Sequence, residues 1–190
     1  MNNLGIVASS ISGSKIVTSS YESIATVTAS GGETSLSFTS IPSTYKSLQI
    51  RGISRDTYSG GVVGNSELFF TFNSDSTSNY SNHQLYGNGT SVTSYGQATY
   101  TAILTDANLL GSVGTNYYAN SITDIIDYAS TSKYKTTRTF FGANNNSSST
   151  NFEIGMFSGC WRSTSAITRI DITGDYTFAA GSTFALYGIK

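Results

Sequence analysis

The chain has 190 residues, a length that suits one domain with a substantial core. Only 11% of the residues are charged and the net charge is −1, with no Lys/Arg cluster. This excludes a surface that tracks a phosphate backbone or an anionic bilayer, so neither nucleic acid nor membrane is an expected partner. The single Cys160 excludes an internal disulfide framework, and no apolar run approaches the ~20 residues of a spanning helix.

Residues 1–20 hold neither a strand nor a helix period. Leu4, Ile6, Val7, Ile11, Ile16 and Val17 are scattered among Ser, Asn and Gly. They read either as a partly ordered tail or as an extended docking arm that orders on another subunit, with a reach on the order of 65 Å. No basic n-region precedes them, so neither a signal peptide nor secretory export is expected. Residues 21–190 read as a separate β domain. Roughly three residues in ten are Ser or Thr, well above ordinary usage. With 13 Tyr and 10 Phe, this predicts a β-rich fold with hydroxyl-bearing outer faces, not a disordered chain.

From Tyr21 the punctuation is regular. Ile24 to Ala29 forms a strand, Ser30-Gly31-Gly32-Glu33 a turn, and Leu36 and Phe38 mark a returning strand. Gly-Gly between two alternating runs predicts a hairpin. In Tyr45 to Asp56, Leu48 and Ile50 alternate with Gln49 and Arg51, the period of two of a strand, and Pro42 suits its entrance. Beyond a Gly-rich loop from Tyr58 to Asn65, Leu68, Phe70 and Phe72 share one face of the next strand. A polar loop over 73–82 leads to the short strand Gln84-Leu85-Tyr86, which ends at Gly87-Asn88-Gly89. Val92 to Thr105 is one bent strand or two.

Ser121 to Tyr128, followed by Ala129, carries Ile122, Ile125 and Ile126 at helical spacing, and Ser121 with Asp124 resembles a capping box. Its β-branched content and strand neighbours nevertheless predict a strand. Lys135 to Phe141, Phe152 to Trp161, Ala166 to Thr173 and Thr183 to Ile189 complete the set. About ten short strands with frequent turns and no convincing helix predict an all-β fold, an antiparallel β-sandwich that is jelly-roll-like by strand number.

Catalytic constellations fail one at a time. A Ser–His–acid set would have to use the single His83, and there is no G-x-S-x-G elbow. Cys160 beside Trp161 reads as a buried, inert thiol. One His and one Cys do not make a zinc site. Asn73 to Asn79 offers oxygens at every second residue but lacks the glycine and the closing glutamate of a calcium loop, so it reads as an Asx/Ser-rich turn. Asp124 and Asp127, three apart on a strand, point to opposite faces and cannot flank one glycosidic bond. Gly60-Gly61-Val62-Val63-Gly64 lacks the Lys-Ser/Thr of a P-loop. No enzyme activity, metal or cofactor is expected. Tyr80, Tyr86, Tyr95, Tyr117 and Tyr118 lie near Asn- and Gly-rich loops, where such rings stack on a sugar, line a protein interface, or fill the half-buried rims of a sheet.

Five segments in order, SYESIATVT, SIPSTYKSLQIRGISRD, FNSDSTSNYSNHQLYGNG, DIIDYASTSKYKTTRTFFGANN and STSAITRIDIT…STFALYGIK, resemble a family of tailed-phage virion proteins with a jelly-roll-like domain. The resemblance implies a structural protein, a homotrimer, on the outer surface of the phage particle and made in the host cytoplasm, with no active site to carry over. It also implies that residues 1–20 dock on the major capsid protein or other virion subunits. Two roles stay open within it. One is a head decoration (cement) protein, favoured by the absence of a shaft, coiled coil or β-helix. The other is a tail-fibre or baseplate receptor-binding domain whose Tyr/Asn loops grip host surface glycan.

Overall fold

A computed structural model describes residues 20–143 and 152–190, so the proposed arm, with Leu4, Ile6, Val7, Ile11, Ile16 and Val17, lies outside the described residues. The described residues form twelve strands: β1 Tyr21–Thr28, β2 Glu33–Phe38, β3 Ser47–Ser54, β4 Asn65–Phe72, β5 Tyr80–Gly87, β6 Val92–Tyr100, β7 Ile103–Leu109, β8 Ala119–Ile126, β9 Lys135–Gly142, β10 Ile154–Trp161, β11 Ile170–Phe178 and β12 Thr183–Ile189. One 3₁₀ turn, Gly111–Val113, follows β7. Period two holds on β3, where Leu48, Ile50, Gly52 and Ser54 are buried and Arg51 and Ile53 are exposed, except that Gln49, in the outward row, is buried too. Gly52 has no substitute in that inner row, since a Cβ there would lie 2.7 Å from the Phe184 ring and 2.9 Å from Ser121 Oγ.

The strands divide into two antiparallel sheets, eight strands in the order β1-β12-β3-β8-β9-β10-β5-β6 and four in the order β2-β11-β4-β7. They pack as a sandwich. Leu48, Ile50, Phe184 and Leu186 of the large sheet share one buried cluster with Leu68, Phe70, Phe72, Ile170 and Ile172 of the small one. A second cluster, Leu109, Leu110, Val113, Ala119 and Phe152, closes one end. Hydroxyls are not confined to outer faces. Thr105, Ser121, Thr123, Thr137 and Thr139 are buried, and Thr123 and Thr139 join their Oγ1 atoms at 2.8 Å across β8 and β9.

The all-β sandwich and the strand assignment of Ser121 to Tyr128 match the sequence reading, although Tyr128 itself lies past the end of β8. The hairpin at Gly31-Gly32 does not form. β1 pairs with β12 in the large sheet and β2 with β11 in the small one. Both glycines hold positive φ, 113° and 96°, as a turn demands, but the turn carries the chain from one sheet to the other. The β11–β12 corner crosses beside it, and the two are tied by hydrogen bonds from Ala29 N–H to Ser182 O and from Gly181 N–H to Ala29 O. Val92 to Thr105 resolves into β6 and β7, again in different sheets. β11 begins at Ile170, later than Ala166, because Asn73 Oδ1 accepts the N–H groups of Thr168 and Arg169 ahead of it.

Two buried charges tie loops to this frame. Asp56, fully buried just beyond β3, accepts the Tyr58 and Gly111 N–H groups on Oδ1 and the Ser66 hydroxyl on Oδ2. Lys135, at the start of β9 and also fully buried, donates from Nζ to the carbonyls of Ser130, Lys133 and Ser163.

Candidate functional site

Adjacent large apolar residues on a strand cannot both face the core. The doublets Leu85-Tyr86, Ile125-Ile126, Phe140-Phe141 and Met156-Phe157 therefore each present one side chain outward. Ile125, Phe141 and Phe157 are buried, and Tyr86 stacks over Phe157 with ring centroids 6.4 Å apart. Leu85, Ile126, Phe140 and Met156 point out.

Strand register lines up Leu85, Phe140 and Met156 with Ile122, while Ile126 lies opposite Thr136, outside the row. Ile122 of β8 lies opposite Phe140 of β9, Phe140 opposite Met156 of β10, and Met156 opposite Leu85 of β5. The four are 44%, 52%, 49% and 46% exposed, an apolar row across four neighbouring strands. On one side lies a polar row. There Gln49 Nε2 donates to Asp124 Oδ1 at 2.8 Å and Arg138 Nη2 to Asp124 Oδ2 at 2.7 Å, with Ser158 and His83 next in register. On the other side, Ile53, Ile154 and Val92 are exposed in the row that runs through Asn120, Gly142 and Gly87. A shallow hollow of ≈ 240 Å³ between Leu85, Met156 and Arg138 sits on this face.

A groove of ≈ 510 Å³ lies elsewhere, where β7 forms the edge of the small sheet and β5 of the large sheet runs past it. Its lining includes Asn65, Glu67, Gln84, Tyr86, Asp106 and Glu153. Burial, with Glu153, Glu67 and Asp175 adding repulsion, pushes the Asp106 carboxyl up to about 7. Burial also raises Glu67 and Glu153 above the ordinary carboxylate range.

The folded state thus binds a proton at Asp106 that the unfolded chain releases near pH 4, and stability falls as pH rises from about 4 to about 7. Three units would span about 4 kcal/mol, and partial exposure of the carboxylate reduces this to about 2 kcal/mol. Asp106→Asn is therefore expected to stabilise the protein by about 2 kcal/mol at pH 8 and to change nothing at pH 4. Urea unfolding at the two pH values measures this, and an equal effect at both would refute it.

The residues singled out from sequence do not converge. Tyr80 is not a surface contact: it is fully buried, its hydroxyl accepting the Phe72 N–H and donating to Asp75 O, because it sits on the inner face of β5. Tyr86 lines the groove and Tyr95 is exposed on β6. Tyr117 packs against the end cluster, and Tyr118 donates to Ala180 O with Arg55 5.6 Å above its ring. Cys160 is half-buried on the outer face of β10, not in the core; burial raises its thiol, and nearby Arg162 draws it partly back.

His83 is exposed on β5. Asp124 and Asp127 belong to separate ion pairs, with Arg138 and Lys133. In the 73–79 loop, burial would raise the Asp75 carboxyl. Donors from Thr77, Trp161 and Asn79 outweigh it and hold the group well below the ordinary range. Among the described residues no three His, Cys, Asp or Glu side chains are grouped to hold a metal ion.

The apolar row and the groove were both missed in the sequence reading. Three of its members, Leu85, Phe140 and Met156, had a signal in the doublets, and Ile122, between Ser121 and Thr123, did not. The groove had none, because its residues come from distant parts of the chain. No protein-family profile, curated protein or solved structure matches the chain.

Proposed function

We propose that this protein is a non-catalytic structural subunit of a tailed-phage virion, and specifically a head decoration (cement) protein on the outer surface of the particle. The observation that carries the reading is the in-register row Ile122, Phe140, Met156 and Leu85. A row of half-exposed apolar side chains across four neighbouring strands suits adhesion to a neighbouring subunit and has no use in turnover. The topology supports it further. With the hairpins β5–β6 and β9–β10 set aside, β1-β12-β3-β8 faces β2-β11-β4-β7, the interleaved order of a jelly roll. In this reading the apolar residues of the 1–20 segment contact the major capsid protein, and the β domain engages its neighbours.

The groove favours a second reading, a tail-fibre or baseplate receptor-binding domain. Asn65, Gln84 and Tyr86 together with three carboxyls present the donors, acceptors and ring face that a host glycan needs. Copy number per purified particle separates the two. Hundreds of copies are expected for a head coat, and a few dozen or fewer would favour the tail part. A particle without the protein would overturn both.

A further inference from the structure

We propose that the outer face of the eight-stranded sheet binds a second copy of the same chain, face to face, about a twofold axis that runs along the strands between β9 and β10. The proposal rests on the structural reading above only in taking this face as a contact surface.

A twofold in that place carries β9 onto β10, β8 onto β5 and β3 onto β6, and leaves every cross-strand row opposite itself. In the apolar row, Phe140 then meets Met156 of the second copy and Ile122 meets Leu85, with the thioether against the aromatic ring. In the polar row, Asp124 meets His83 of the second copy and Arg138 meets Ser158. In the third row, Ile53 meets Val92 and the bulk of Ile154 meets Gly142. Apolar lies on apolar, large on small, acid on imidazole.

Neighbouring axes do worse. Moving the axis onto β9 sets Arg138 against Arg138 of the second copy, and moving it onto β10 sets Arg138 against His83. An axis across the strands lays the polar row on the Ile53–Ile154 row.

The area also fits. The seven exposed apolar side chains of these rows present on the order of 700 Å² per copy, close to the about 800 Å² per partner of a stable interface and above the about 300–600 Å² patch of an ordinary monomer. Aligned sheets about 10 Å apart accommodate such packing. The geometry therefore favours a twofold pair over the threefold that the family resemblance implies.

Sedimentation equilibrium of the full chain tests this, with an expected mass of two 20.2 kDa chains. Phe140→Glu and Met156→Lys are each expected to run as monomers. Mixed, they are expected to regain a one-to-one dimer. The proposed axis sets the new Glu against the new Lys at one of its two equivalent contacts and leaves Phe140 against Met156 at the other. That rescue also shows that both variants are folded. A wild-type monomer or trimer, a dimer that survives either substitution, or a mixture that stays monomeric would each overturn the twofold. None of these outcomes bears on copy number per particle, so the virion reading stands or falls separately.

Discussion

Asp56→Ala is expected to destabilise the protein by about 4 kcal/mol and to lower its thermal midpoint by roughly 10 °C. The carboxylate is fully buried. Its Oδ1 accepts the N–H groups of Tyr58 at 2.9 Å and Gly111 at 2.8 Å, and its Oδ2 accepts Ser66 Oγ at 2.7 Å. Its own N–H donates to Leu109 O at 2.9 Å, so one residue ties the end of β3 to β4, to β7 and to the 3₁₀ turn. Alanine leaves two N–H groups and a hydroxyl without the acceptor they now share, and each donor to a charged acceptor contributes about 1.5–3 kcal/mol. Asparagine keeps one acceptor oxygen and is expected to lose about half as much. Urea unfolding of the three proteins decides it, and an alanine variant within about 1 kcal/mol of wild type would sink the account.

The second large effect is at Lys135. Methionine matches its length and apolar stem but withdraws the ammonium from the carbonyls of Ser130 at 2.6 Å, Lys133 at 2.8 Å and Ser163 at 3.3 Å. Volume is kept, so the loss, about 3 kcal/mol, comes from three carbonyls that lose their charged donor and from the contact with Trp161, whose ring lies 6.0 Å from Nζ.

Burial holds the Lys135 ammonium below its ordinary value of 10.5, although Asp127 pulls the other way. Between the depressed value and 10.5 the folded protein binds fewer protons than the unfolded chain, so stability rises with pH across that window. Lys135→Met is expected to flatten that rise. Denaturation curves from pH 7 to pH 10.5 report both the loss and the slope. A variant as stable as wild type would show that the three carbonyls need no donor.

The strands were legible because a single local rule, period two, governs which side chains enter the core. Leu48, Ile50, Leu68, Phe70 and Phe72 obey it, and all are buried. Partner choice was not legible. Gly31-Gly32 announces a turn, but turn chemistry is the same whether the next strand returns beside its predecessor or crosses to the facing sheet. That outcome is decided by β11 and β12, some 140 residues away in sequence.

Burial of polar residues was equally hidden. Tyr80 and Lys135 look like surface residues by type, and their burial depends on acceptors that the fold aims at them, Asp75 O from the preceding loop and Ser163 O from a distant one. The outer apolar row was half visible. Each doublet shows that one side chain faces out, whereas the alignment of three of these with Ile122 depends on strand register. The groove gathers β4, β5, β7 and Glu153, and no window of the sequence contains more than a part of it.

The place of β12 has a consequence for how the chain is made. β12, the last strand of the described chain, lies between β1 and β3, hydrogen-bonded to both. Until β12 docks, β1 has no ladder to join and the edge of β3 that faces away from β8 stays open to any passing strand. The large sheet thus takes in β1 only after β12 is in place. A chain in which β12 has not yet docked is the species most exposed to aggregation.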